Sequence, residues 1–150
     1  MGIKKLKPLI NKIEFKSEFK NLEKKIYCSK FAIGEYDEKI PSDLTAEQIL
    51  IRSGNIGSIR IAQKVGEDKF QKFLNDLGLL NTLDFDIEEI GTPLKFKWGK
   101  CKLATSAYGH GITTTPLQLA KGYSIISNGG YDIKPTLILD EKKRTIKYKR

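Results

Sequence analysis

The chain has one histidine, His110, two cysteines, one tryptophan and one methionine in 150 residues. A single imidazole excludes a multi-histidine metal centre. No C-x-x-C pair is present, so a zinc ribbon or thioredoxin-like site has no support. The expectation is no metal and no cofactor. No apolar run approaches the ~18 residues of a membrane-spanning helix. The N-terminus carries lysines but no apolar core of a secretion signal. Neither an anchor nor a signal is therefore expected in this chain. Acidic residues are outnumbered: 18 Asp+Glu against 27 Lys+Arg give a net charge of +9. That excess favours anionic partners such as nucleic acid or an anionic surface. The basic residues are dispersed, however, and dense only at the two ends, IKKLKPLINK and EKKRTIKYKR. Solvated faces are the simpler account. A small basic binding protein for nucleic acid or an anionic surface remains the alternative function, although no recognisable nucleic-acid motif accompanies the charge.

What is present is a chain long enough for one domain with a core. Its organising stretch is Ala104 to Gly130. A loop carries Gly109-His110-Gly111, and Thr113 to Thr115 lead to Pro116. About three helical turns follow and end at Gly129-Gly130, with proline just inside the start and glycine just past the end. Leu117, Ala120, Tyr123 and Ser124 mark one stripe, widened by Leu119, Ile125 and Ile126. The pattern predicts a core helix. Upstream, Thr45 and Gln48 fit a capping box for a helix with Ala46, Ile49 and Leu50 inward. It breaks near Gly54, and a second helix runs from Ile56 to Val65 with Ile56, Ile59 and Ala62 inward. Ser53-Gly54-Asn55 is thus expected on a tight junction between two buried helices, placed to project into a cleft. The clearest period is in EDKFQKFLNDLG, where Phe70, Phe73, Leu74 and Leu77 share a face and Gly78 suits the C-terminal stop. Asn81 to Trp98 has no helical period and predicts an extended loop. Tyr131 to Leu139 predicts a strand. Phe19, Leu22, Lys25 and Ile26 mark a weak helical stripe, and Tyr27 to Ile33 a short strand. Cys28 and Cys101 are far apart; a disulfide and two small buried thiols are both open, the latter being commoner.

Two of these stretches resemble a known family. GHGITTTPLQLAKGYSIISNGG is similar to the segment that precedes the third active-site motif of class B penicillin-binding proteins, the septal, cell-division type of peptidoglycan D,D-transpeptidase. TAEQILIRSGNIGSIRIAQKVG is similar to the same family's stretch around its S-x-N motif. The two occur in the family's order, with the Phe70–Leu77 helix and Gly91-Thr92-Pro93 between them. The resemblance covers Leu44 to Leu139. It implies a fold: an α/β transpeptidase domain like that of penicillin-binding proteins and serine β-lactamases. This chain would hold the mostly helical lobe and one or two strands. The division expected is an N-terminal segment 1–40, a partial transpeptidase domain 41–139, and a charged tail 140–150.

The resemblance also implies chemistry. Acyl transfer needs an activated nucleophile, a base and donors for the oxyanion. In the family a serine attacks the D-Ala–D-Ala carbonyl and a lysine one helical turn later activates it. The S-x-N serine, Ser53 here, helps relay the proton to the leaving group. The asparagine, Asn55 here, binds the substrate backbone with its amide. A K-T-G strand holds the substrate carboxylate. K-T-G and K-S-G are absent from this sequence. The one S-x-x-K, Ser17-Glu18-Phe19-Lys20, is expected by chance at this abundance of lysine. It is followed by polar Asn21 to Lys25 rather than a buried helix, so the nucleophile is not assigned to Ser17. His110, the one histidine, sits between two glycines and is taken as a loop residue. Trp98, flanked by lysines, is taken to pack under their stems. Tyr108 and Tyr123 are taken as core or cleft-wall aromatics. The partners that the resemblance implies are peptidoglycan stem peptides and β-lactams, together with a missing part of the domain, with no nucleic acid. The family's location is the inner membrane, periplasmic face. A partial domain of this kind is expected to expose a helix face, to be marginally stable or self-associating, and to be inactive alone.

Overall fold

A computed structural model describes residues 4–5, 16–87, 94, 97–99 and 101–138. Gly91-Thr92-Pro93 and the tail 140–150 lie outside the described residues. The elements in order are β1 (Lys4–Lys5), β2 (Glu18–Phe19), β3 (Ile26–Cys28), β4 (Phe31–Ile33), β5 (Leu44–Thr45), α1 (Ala46–Arg52), α2 (Asn55–Val65), α3 (Glu67–Asp76), α4 (Lys102–Ala107), α5 (Pro116–Ser127) and β6 (Tyr131–Asp132). Among the described residues strands pair as antiparallel twos: β1 with β6, β2 with β5, and β3 with β4. Far more of these residues are helical than in strands. No helix among the described residues is long and apolar enough to cross a membrane.

The weak helical stripe at 19–26 is not a helix. Phe19 is on β2 and Ile26 on β3, with a turn between them. Asn21 adopts a left-handed φ of 58°, and the Leu22 N–H donates to the Ser42 carbonyl at 2.8 Å. Tertiary hydrogen bonds thus replace the i→i−4 bonds that a helix would need. Nor is 27–33 one strand. Ser29 has φ 58° and reverses the chain, so Ile26 pairs with Ile33 and Cys28 with Phe31 in a tight hairpin. Phe19 and Leu22 join Ile40, Leu44, Ala46, Ile49 and Ile56 in one buried cluster.

Helix α1 starts as the sequence predicts. Thr45 accepts from the Gln48 N–H and Gln48 answers to the Thr45 N–H, a full capping box. Ala46 and Ile49 face the core, but Leu50 is 72% exposed, so the buried face is narrower than its pattern. Helix α2 buries Ile56, Gly57, Ile59 and Ala62 and packs on α1, α3 and α4. Helix α3 buries Leu74, with Leu77 buried just past its end and Phe70 and Phe73 half-buried. Gly78, at φ 78°, ends it, and the Leu79 N–H returns to the Leu74 carbonyl at 3.1 Å.

Helix α5 has the predicted bounds and a second capping box, Thr115 with Gln118. Its buried face is a different one. Gln118, Gly122 and Ile125 are buried, whereas Leu119, Tyr123 and Ile126 are solvent-exposed. A polar side chain selects the inward face. The Gln118 amide nitrogen donates to the carbonyls of Asn81 at 2.5 Å and Gly78 at 3.3 Å. Its oxygen accepts from the Thr115 N–H at 2.7 Å. Gly122 faces Leu77 and Leu79, which a Cβ there would meet in ordinary contact. The exposed helix face anticipated for this chain is therefore the Leu119–Tyr123–Ile126 side. Of the strand read at 131–139, Tyr131–Asp132 is formed as β6; Leu139 lies outside the described residues.

Candidate functional site

Helices α1 and α2 meet at Ser53-Gly54. Ser53 caps α1 in the left-handed conformation, φ 54° and ψ 37°, with its N–H directed at the Ile49 and Leu50 carbonyls. A left-handed L-residue costs roughly 1–2 kcal/mol. Such a conformation persists where the surroundings hold it. Gly54 is the N-cap of α2, and Asn55 is its first residue. Ser53 is exposed, Gly54 buried and Asn55 half-buried.

The chain segment after β4 closes on this junction. Both Glu35 carboxylate oxygens are engaged: Oε2 accepts from the Asn55 N–H at 2.7 Å and Oε1 from the Ile56 N–H at 2.8 Å. The Asn55 side-chain amide donates to the Gly34 carbonyl at 3.1 Å. The Tyr36 hydroxyl donates to the Arg52 carbonyl at 2.8 Å. The two N–H groups held by Glu35 belong to the first turn of α2, where the helix has no acceptor of its own. A carboxylate is also favoured there by the helix dipole.

Asn55 lines a cleft of about 390 Å³, together with Phe31, Ile33 and Gly34 of the hairpin side and Cys101, Thr105 and Tyr108 of the α4 side. The tripeptide thus reaches a cleft through its asparagine. Cys28 and Cys101 also line this cleft and are joined as a disulfide, with Cα atoms 5.7 Å apart. Of the two states the sequence left open, the cross-link is the one found. It ties the β3–β4 hairpin to the N-cap of α4.

Helix α4 was not legible in sequence. It is six residues long and ends where the His110 N–H returns to the Thr105 carbonyl at 2.8 Å. Tyr108 is a cleft-wall aromatic, as expected, but Tyr123 is 67% exposed on α5. The His110 ring stacks at a tilt on Tyr108, centroids 4.6 Å apart, and is exposed. The Trp98 indole N–H donates to the Glu67 carboxylate at the start of α3. Ser17 and Lys20 flank strand β2. They lie on non-helical chain and not one turn apart on a helix, so this pair lacks the one-turn arrangement that the family's serine and lysine have. Glu35 went unnoticed in sequence because it lies 20 residues from the amide it holds, with no local pattern to announce it.

Among the described residues no group of His, Cys, Asp and Glu is arranged to hold a metal ion. The cleft offers an amide, a hydroxyl from Thr105, two aromatic rings and backbone groups. That set suits a peptide-like ligand.

Comparison with known proteins bears on the family and the fold. The model of the penicillin binding protein transpeptidase domain matches residues 8–150. The probable peptidoglycan D,D-transpeptidase FtsI of Caulobacter vibrioides is 30% identical over 96 residues, 63% of this chain and 16% of that protein. The peptidoglycan D,D-transpeptidase FtsI of Escherichia coli is 33% identical over 94 residues, 59% of this chain and 16% of that protein. This chain therefore spans about one sixth of the length of these relatives. The transpeptidase domain of Burkholderia pseudomallei penicillin-binding protein 3 superimposes with a TM-score of 0.73 over 87% of this chain and 40% of that one, at 18% identity. A family model that spans nearly the whole chain, a shared fold and the S-x-N junction at the cleft converge on one assignment: the chain belongs to the penicillin-binding protein transpeptidase domain family.

Proposed function

We propose that this chain supplies the S-x-N side of a serine-type D,D-transpeptidase site that cross-links peptidoglycan. The observation that carries the reading is Asn55 at the wall of a cleft lined by Phe31 and Tyr108, in a chain of this family. In this reading the Asn55 amide meets the backbone of a stem peptide ending in D-Ala–D-Ala, or the amide of a β-lactam. Ser53 relays the proton released to the leaving group. Acyl transfer itself needs a nucleophile with its activating lysine, and Ser17 with Lys20 does not provide that geometry. The chain alone is therefore a substrate-side scaffold rather than an acylating enzyme. The Cys28–Cys101 disulfide supports a location outside the reducing cytosol, on the periplasmic face of the inner membrane as the family implies.

Two measurements test this. Incubation of the purified chain with a fluorescent penicillin is expected to give no covalent adduct, and an adduct mapped to Ser17 would overturn the assignment. Titration of the isotope-labelled chain with D-alanyl-D-alanine is expected to shift the resonances of Asn55, Thr105 and Tyr108. Asn55→Ala is expected to abolish those shifts. Shifts confined to residues away from the cleft, or none at millimolar peptide, would remove Asn55 from the substrate side.

A further inference from the structure

We infer that Glu35 is a positioning residue for the S-x-N motif: it fixes the backbone of Asn55 and so sets where the Asn55 amide is held. The inference rests on the reading of Asn55 given above, but its evidence is separate. Four hydrogen bonds run from three consecutive residues to one junction. Glu35 accepts from the Asn55 and Ile56 N–H groups at 2.7 and 2.8 Å. Gly34 accepts from the Asn55 side chain at 3.1 Å, and Tyr36 donates to the Arg52 carbonyl at 2.8 Å. The clamp therefore reaches residues on both sides of Ser53-Gly54.

The junction needs such a clamp for two reasons. Ser53 is in a left-handed conformation that an L-residue leaves readily when unsupported. Asn55 and Ile56 are the first two residues of α2, so the helix cannot satisfy their N–H groups. A neutral acceptor would satisfy one of them. A carboxylate satisfies both at once, with charge-assisted bonds. A Cβ on Gly54 would lie 3.5 Å from a Glu35 oxygen, in ordinary contact, so the clamp does not depend on glycine there. The β3–β4 hairpin that delivers Glu35 is itself tied to α4 by the disulfide. The hairpin wall is thus tied to α4 by the disulfide and to the first turn of α2, with its asparagine, by Glu35.

Amide hydrogen exchange of the full chain tests this, with wild type, Glu35→Gln and Glu35→Ala compared. The N–H groups of Asn55 and Ile56 lack helical acceptors, so their protection reports the Glu35 bonds directly. Glu35→Gln retains one acceptor oxygen. It is expected to speed exchange about tenfold or more at one of the two amides, and Glu35→Ala at both. The Asn55 side-chain amide resonances should move in step, while Ile59 and Ala62, deeper in α2, keep their protection. Unchanged exchange at Asn55 and Ile56 in Glu35→Ala would overturn the inference. So would an equal loss of protection along the whole of α2, because Glu35 would then support the fold and not the motif. Neither outcome depends on ligand binding. Failure of the dipeptide titration would remove the substrate role of Asn55 and leave the Glu35 result readable by itself.

Discussion

At the scale of single residues, backbone conformation and hydrogen-bond satisfaction outweigh apolar character. Ser53 shows the first. Its left-handed φ of 54° suits glycine better than any L-residue. Replacing it with alanine removes the hydroxyl and keeps the strain; replacing it with glycine removes both. Ser53→Gly is therefore expected to be more stable than Ser53→Ala by about 1 kcal/mol in urea unfolding, less part of the extra entropy of an unfolded glycine. If the hydroxyl has a role in proton relay, the two variants lose that role equally, so stability and function separate. Gln118 shows the second. It is fully buried, yet it bonds the Asn81 and Gly78 carbonyls and the Thr115 N–H. Gln118→Leu adds apolar surface to a buried site and still is expected to cost about 1–3 kcal/mol, because it removes several hydrogen bonds, each contributing about 0.5–1.5 kcal/mol. Thermal melts of the two proteins would show it; an unchanged midpoint would mean that water replaces the amide.

At the scale of elements, the helices with strong punctuation were legible and the short, long-range ones were not. The Thr45/Gln48 box, the break at Gly54 and the stop at Gly78 are local chemistry, and each is where the sequence puts it. The α5 face was misjudged because the helix is apolar on several sides, and its orientation depends on carbonyls about 40 residues away that a linear pattern does not contain. Strands of two or three residues carry no period, so β2 and the hairpin were hidden. Within the site, the S-x-N junction could be read, whereas Glu35 and the disulfide could not, since both act across 20 or more residues. Contact between α1 and α2 gives a sharp test. A Cβ on Gly57 would lie 2.6 Å from Ile49, itself 1% exposed. Gly57→Ala gains about 1 kcal/mol of helix propensity, but overpacking costs about 1–3 kcal/mol, so the net expectation is loss of stability. Combining it with Ile49→Ala should give a far smaller loss than the sum of the two single changes. The disulfide gives another. Cross-linking positions 73 apart stabilises by about 4 kcal/mol in the chain-entropy model. Intact mass should rise by two hydrogens on reduction, and the reduced chain or Cys28→Ser should melt earlier, with the hairpin and α4 losing exchange protection before α3.

At the scale of the whole chain, what remains is how the two ends of the α5 region are fastened to the rest. Lys121 pairs with Asp132 at 2.8 Å across the α5–β6 turn. Lys134 pairs with Asp84 at 2.8 Å. Asp86 accepts from the Thr136 hydroxyl and, at 3.0 Å, from the Leu137 N–H. These contacts join the loop after α3 to the segment after β6, some 50 residues later. The Thr136 hydrogen bond is the main reason why the Asp86 carboxyl is held below its ordinary value of 3.8, helped by the Leu137 N–H and the Lys134 charge. A depressed carboxylate stabilises the folded clasp fully above the unfolded value and loses that contribution as pH falls through the lower folded value. The Lys134 ammonium is shifted the other way, chiefly by its Asp84 partner, so its contribution is full below its ordinary value of 10.5 and lost as pH rises through its raised value. The clasp is thus expected to hold across neutral pH and to open at either extreme. These groups are exposed, so the effect on global stability is small and weakens with salt. Exchange at the Leu137 amide, followed from about pH 6 to well below the ordinary carboxylate range, should lose protection while Ile59 keeps its own, and Asp86→Asn should abolish the pH dependence of that loss. Protection at Leu137 that stays constant over this range would mean that the segment is held by its backbone alone, with the carboxylate a bystander.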